Sequence, residues 1–182
     1  TAIKNLTKSS APPSAEAIIN FGWKKVLSLI WLLGAIGLVF YSIVANILLS
    51  QKISQESPTR DLKLRNLQKK CNELMGSSKK IKLVVSQKIQ SPMLLGLFKP
   101  RIILPLHLIK ILSRDQLKHI ILHELAHIKR YDVATAYVCT LIQSLHWFNP
   151  FVWFAFFKMR GDREAACDEI VMNGIGAEQS ES

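Results

Sequence analysis

The chain has 182 residues, with 24 Lys and Arg against 13 Asp and Glu, for a net charge of +11. At 49% apolar residues and a mean hydropathy of +0.19 it is too apolar for an intrinsically disordered chain. Three unpaired Cys (Cys71, Cys139 and Cys167) exclude a disulfide miniprotein and indicate reduced thiols. The charge is unevenly spread, because Val26–Ser50 and Val133–Phe157 contain no Asp, Glu, Lys or Arg. Residues 1–50 carry net +3, residues 51–130 net +12 and residues 131–182 net −4.

Thr1–Asn20 is polar, contains Pro12-Pro13 and reads as a loop. The chain starts with Thr and lacks a signal-peptide layout, as expected for a piece of a longer protein. Residues 21–50 follow as a transmembrane helix: a bilayer core of about 30 Å needs roughly 20 apolar residues, and 25 uncharged ones are present. Trp23 and Tyr41 are candidate interfacial anchors. Six cations (Lys52, Arg60, Lys63, Arg65, Lys69 and Lys70) follow within about 20 residues, which by the positive-inside rule puts the C-terminal side in the cytoplasm and residues 1–20 outside. The excess in residues 51–130 first suggests nucleic acid, but no groove-reading motif accompanies it, so no nucleic-acid partner is expected. Topology and anionic lipid explain the cations as well.

Thr59–Leu74 has a helical pattern of Leu and Cys among charges, ending at Gly76. Ile81–Ser86 is short and alternating, and Ser91–Pro105 reads as strand, turn, strand. Its Pro residues favour an edge, and an edge can accept an extended peptide. Ser113-Arg114-Asp115-Gln116 is a capping box that starts a helix running to about Tyr131.

That helix carries His123-Glu124-Leu125-Ala126-His127. Histidines at i and i+4 share one helical face and can hold one metal ion, for which imidazole suits Zn²⁺. Glu124, beside the first of them, can take a proton from a water that zinc acidifies toward a pKa of about 7, giving a nucleophile for a peptide carbonyl. A catalytic zinc needs a third protein ligand and an open position. Residues 161–170 (GDREAACDEI) offer Glu164, with Asp168 one turn on as acceptor for a ligand imidazole; Glu169 and Asp162 compete, and spacing does not exclude them. If Val133–Phe157 crossed a membrane completely, Glu164 would lie on the opposite side from His123. Asn149-Pro150 breaks the segment, giving a hydrophobic hairpin over residues 133–160, either re-entrant, membrane-apposed or buried as core helices. His146 reads as a polar turn residue. The donor that would stabilise an oxyanion is unassigned, with His119 and Tyr131 near it in sequence.

Four blocks in order, GLFKPRIILP, HELAHIKRYD, LHWFNPFVW and DREAACDE, together resemble the integral-membrane zinc metallopeptidases that include the penicillin-sensing Bla- and Mec-type signal transducers. The resemblance covers roughly residues 23–175. It implies an α+β, mainly α, architecture: a transmembrane helix, then a zincin-like (gluzincin) metalloprotease domain over residues 51–182 with a small sheet and the hydrophobic hairpin. It implies zinc held by His123, His127 and Glu164, with Glu124 as general base and Asp168 in a supporting role. In those receptors an extracellular sensor activates a cytoplasmic-side protease, leading to loss of a transcriptional repressor and induction of β-lactam resistance. No penicillin-binding domain lies in these residues, so β-lactam sensing is not implied for them. The expected partners are a protein or peptide substrate (a repressor, or the protease itself) and the bilayer. Two alternatives are a membrane quality-control zinc protease and a non-catalytic membrane adaptor; an intact Glu124 argues against the latter.

Overall fold

The computed structural model describes the backbone of residues 15–54, 56, 58–76 and 81–181, with side chains over 22–53, 56, 58–76 and 81–176. Six helices and three strands follow in order: α1 (Ala15–Ser54), α2 (Leu62–Leu74), β1 (Lys82–Ser86), β2 (Met93–Leu95), β3 (Arg101–Pro105), α3 (Leu106–Ile111), α4 (Arg114–Lys129), α5 (Asp132–Leu145) and α6 (Pro150–Glu181). The architecture is mainly helical with one small sheet.

The first helix extends further back than the sequence indicates. Ala15–Asn20, read as loop, is helical, because no Pro separates it from the apolar segment, the single Gly22 is tolerated within a long helix, and that segment propagates the helix backward. The rest of the expected loop, residues 1–14, lies outside the described residues. Gly22–Ile53 is long and apolar enough to cross a membrane, and among the described residues of α1 only Ala35 and Ile53 are buried. Tyr41 is 71% exposed and lies in the middle of this span, which suits an interfacial anchor poorly.

The sheet order is β1-β3-β2, with β1 parallel and β2 antiparallel to β3. The edge assignment therefore needs correcting: β3 is central, although it carries Pro105. That Pro costs no ladder bond because it sits at the last position, where the chain leaves the sheet for α3. The outer side of β1 is partly covered by residues 58 and 59, since Thr59 N–H donates to Leu83 O at 3.0 Å. The edge strand beside the site described below is β2.

Both faces of the sheet are covered, which is why its strands are almost wholly apolar. Leu83, Ile102 and Leu104 face the main core, built with Leu64, Leu67 and Cys71 of α2, Leu117, Ile121 and Leu125 of α4, and Cys167 and Val171 of α6. Val84 and Ile103 face the other way and pack with Ile53 at the end of α1 and with Met93 and Leu95. The capping box at Ser113 forms as expected, with Ser113 N–H donating to Gln116 Oε1 at 2.9 Å and Gln116 N–H to Ser113 Oγ at 3.3 Å. Gly76, at φ +61°, ends α2 as the sequence indicates.

Asn149 and Pro150 break the second uncharged segment, with the Asn149 side chain accepting from Phe151 N–H at 3.0 Å and Pro150 opening α6. The returning arm does not stop at the metal-ligand region; it is the first part of one 32-residue helix. The hairpin lies along α1. Trp31 Nε1 donates to Leu145 O at 2.8 Å, Trp147 Nε1 to Trp31 O at 3.3 Å and Tyr137 Oη to Asn46 at 3.2 Å. Gly34 permits the contact, since a Cβ there would lie 2.6 Å from the Trp147 indole. Within this chain the hairpin is not a buried core: Val138, Leu141, Phe148, Phe151, Phe154 and Phe157 are all more than half exposed.

Candidate metal centre

Helix α4 buries Leu117, Ile121, Leu125 and Ile128 in the core, which leaves Ile120, His123, Glu124 and His127 along an adjacent stripe facing a cleft. On α6, Glu164, Cys167, Asp168 and Val171 share one side at helical spacing. Cys167 and Val171 are fully buried against the core, so Glu164 and Asp168 are delivered to the edge of α4.

Three donor atoms converge there. His123 Nε2 and His127 Nε2 are 3.1 Å apart, and Glu164 Oε2 lies 3.3 Å from the first and 3.6 Å from the second. Ligands about 2.0–2.2 Å from a tetrahedral ion stand roughly 3.3–3.6 Å from one another, so the triangle has the size such an ion requires. The protons agree with this. His123 Nδ1 is 2.9 Å from Asp168 Oδ1, and His127 Nδ1 is 2.7 Å from Asp132 Oδ2. An ionised carboxylate only accepts, so each imidazole carries its proton on Nδ1 and turns a lone pair on Nε2 toward the other. Two lone pairs and a carboxylate oxygen facing one point offer a site for a shared cation.

His127, Asp132 and Cys167 also lie close together, but the 2.7 Å separation of His127 from Asp132 is a hydrogen-bond length, too short for two ligands of one ion. This second group is a cradle. The Cys167 thiol is 3.5 Å from Asp132 Oδ2 and 3.2 Å from His127 Nδ1, and Arg130 Nε is 3.6 Å from the same carboxylate oxygen. Burial, then the Asp132 carboxylate, pushes the Cys167 thiol up to about 12, so it stays protonated and donates.

The cleft has a volume of about 530 Å³ and is also lined by Pro92 and by Met93 and Leu94 of the β2 edge. Glu124 opens onto it while only 8% exposed. Burial pushes its carboxyl above the usual range, and the nearby His127 and His123 pull it partly back. A carboxylate with raised basicity beside three candidate metal donors and an open cleft is placed to exchange protons with water entering the cleft.

The profile of the family described as BlaR1 peptidase M56 matches residues 1–181. The chain belongs to that family. It is 31% identical over 146 residues to the regulatory protein BlaR1 of Bacillus licheniformis, covering 80% of this chain and 24% of that protein. It is also 31% identical over 149 residues to the methicillin resistance mecR1 protein of Staphylococcus aureus strain Mu50, covering 81% and 25%. This M56 chain thus spans about a quarter of the length of these relatives.

Of the residues singled out in the sequence of this M56 chain, His123, Glu124, His127, Glu164 and Asp168 are brought together. Asp162 and Glu169, the competing acids, are exposed and outside the donor triangle. His146 closes α5 at the hairpin tip, its ring on Ile142 O, and lines neither the cleft nor the triangle. His119 and Tyr131 are exposed and do not line the cleft. Asp132 was missed. Its placement depends on Tyr131, whose left-handed backbone (φ 59°) links α4 to α5 within two residues and swings Asp132 back under His127. The available signal was an acid five residues after the second His, directly before an uncharged run.

Proposed function

We propose that this chain is the protease part of a membrane-anchored zinc endopeptidase of zincin-like (gluzincin) type, acting in signal transduction such as the induction of β-lactam resistance. The carrying observation is the convergence of His123, His127 and Glu164 beside buried Glu124 in a cleft flanked by a strand edge. When bound, zinc supplies Lewis acidity and acidifies water toward a pKa of about 7. His123, His127 and Glu164 hold it, and Asp168 and Asp132 fix the two imidazole tautomers. Glu124 takes the proton from the attacking water and hands it to the leaving amine. The unpaired edge of β2 receives the substrate backbone as an added strand.

The names of the relatives, one a regulatory protein and the other a methicillin resistance protein, support a regulatory role in antibiotic resistance. The substrate class is a protein or peptide, a transcriptional repressor or the protease itself among the candidates. We assign α1 as the membrane span, with the cation-rich residues 51–130 and the metal centre on the cytoplasmic side.

Metal analysis and casein cleavage test this reading. The purified chain should hold about one zinc per molecule and cleave fluorescein-labelled casein, and Glu124→Gln should keep the zinc and lose cleavage by about 10²–10⁴-fold. Absence of stoichiometric zinc sinks the reading. Zinc binding with equal, negligible cleavage by both proteins favours the non-catalytic adaptor.

A further inference from the structure

The metal cleft continues into a second cavity, of about 370 Å³, between β2, α5 and the middle of α1. Leu94, Val133 and Ala136 line both, so the two share a wall. Along β2 the lining passes from Pro92–Leu94 at the metal to Leu94–Gly96 at the second cavity. The far wall consists of Val39, Ser42, Ile43 and Asn46 of α1. These residues fall inside the uncharged run that ends at Ser50, roughly 6–17 Å from its end at 1.5 Å per residue.

The polar groups around this cavity are already partnered. Ser42 Oγ donates to Leu38 O at 2.9 Å, Thr140 Oγ1 to Ala136 O at 2.9 Å, Asn46 Nδ2 to Ser42 O at 3.0 Å and Tyr137 Oη to Asn46 Oδ1 at 3.2 Å. An occupant therefore needs no hydrogen bonds from these groups, and the remaining surface is that of Val39, Ile43, Leu95 and Leu141. We propose that this cavity is a specificity subsite built partly from the transmembrane helix, and that it takes a large apolar side chain of the peptide substrate. The inference rests on the peptidase reading of the neighbouring metal centre. A peptide paired with the β2 edge advances about 3.4 Å per residue, so the residue two or three places from the metal reaches the cavity. Pairing also satisfies the peptide backbone at a depth where water is scarce. The anchoring helix thereby selects substrates as well as holding the enzyme at the bilayer.

The test uses the full chain, zinc-loaded, in lipid nanodiscs, with a series of peptide hydroxamates. The hydroxamate chelates the metal, and Leu or Phe replaces Gly at the first, second, third or fourth position from it. Dissociation constants should tighten about tenfold or more at the second or third position alone, the scale expected for burying such a side chain. Ser42→Phe, or Thr140→Phe from the opposite wall, should bring the Leu-to-Gly affinity ratio close to one. Leu141→Ala should shift the preference from Leu toward Phe. Failure of every hydroxamate to bind overturns the metal reading and this proposal with it. Binding without positional preference, or a preference that survives both filling variants, overturns the subsite alone. A photoactivatable acyl chain that labels Ile43 or Leu141 and is not displaced by the Leu peptide gives the cavity to lipid, and overturns it too.

Discussion

Asp132 and Asp168 have the same chemical task, and the structure ranks them. Each faces the Nδ1 of one histidine of the donor triangle, at 2.7 Å and 2.9 Å respectively. The Asp132 side chain is 10% exposed, whereas that of Asp168 is 70% exposed. Removing a carboxylate behind a ligand imidazole typically weakens metal binding by about 10–100-fold. At Asp168 water can enter and accept the vacated proton, so Asp168→Ala belongs at or below the lower end. At Asp132 the remaining neighbours are the Cys167 thiol and the Arg130 guanidinium, neither of which replaces a carboxylate acceptor. Asp132→Ala therefore belongs near the upper end, about 100-fold or 2.7 kcal/mol. Asp132→Asn keeps an acceptor oxygen but loses the charge and should fall between, at about tenfold. Zinc affinity is measured by competition with a chromophoric chelator, with helicity by circular dichroism as the check on folding. The reasoning is refuted if folded Asp132→Ala binds zinc as tightly as Asp168→Ala.

Four further outcomes follow from the same contacts. Burial raises the pKa of Glu124, so in the metal-free fold its stabilising share is complete below the ordinary carboxyl range and lost as pH rises through the raised value. Glu124→Gln should thus raise the melting temperature of the chelator-treated protein at pH 7 by a few degrees, and the gain should shrink toward pH 4; a gain constant with pH contradicts the assignment. Glu164→Ala removes one of three donors and should leave little zinc after gel filtration, where full retention would remove Glu164 from the ligand set. Gly34→Val drives a Cβ into the Trp147 indole and should cost about 1–3 kcal/mol, seen as a lower thermal midpoint; no change would mean that the hairpin tip is not docked there. With all three native Cys buried, an impermeant maleimide should distinguish Ser10→Cys from Lys79→Cys across sealed vesicles; labelling from the same side contradicts a single span by α1.

What the sequence discloses is set by the range of the interactions. The capping box at Ser113 and the stop at Gly76 depend on neighbours within four residues and are legible. So is the i, i+4 pair of His123 and His127. Glu164 lies 37 positions further on, and spacing leaves it among rival acids; the hairpin logic of Asn149-Pro150 and the family resemblance single it out. Asp132 was overlooked because its position follows from one left-handed residue, Tyr131, and a bulky aromatic gives no warning of positive φ. The parallel pairing of β1 with β3 is invisible in strands of five residues, whose alternation marks faces and not partners. The uncharged run of Val133–Phe157 reads alike for buried and for exposed helices, and only the fold shows that its aromatics are exposed in this chain.

The same placement bears on how a movement of α1 reaches the donor triangle. Helix α1 holds Ile53 in the apolar layer under β2 and β3, lines the cavity beyond Leu94, and is hydrogen-bonded through Trp31 to the tip of the hairpin. One arm of that hairpin starts at Asp132, behind His127, and the other continues as the helix that carries Glu164 and Asp168. Helix α4, with His123 and His127, is anchored in the opposite core, and α6 joins it there through Cys167 and Val171. A shift of α1 against that core therefore acts on the hairpin, on Asp132 behind His127 and on the β2 edge, while Glu164 and Asp168 stay with α4. Asp132 lies 2.7 Å from His127 Nδ1, so a displacement of about 1 Å is enough to break that hydrogen bond. Packed in this way, α1 reaches the His127 imidazole through α5 and Asp132, without any contact of its own to the donor triangle.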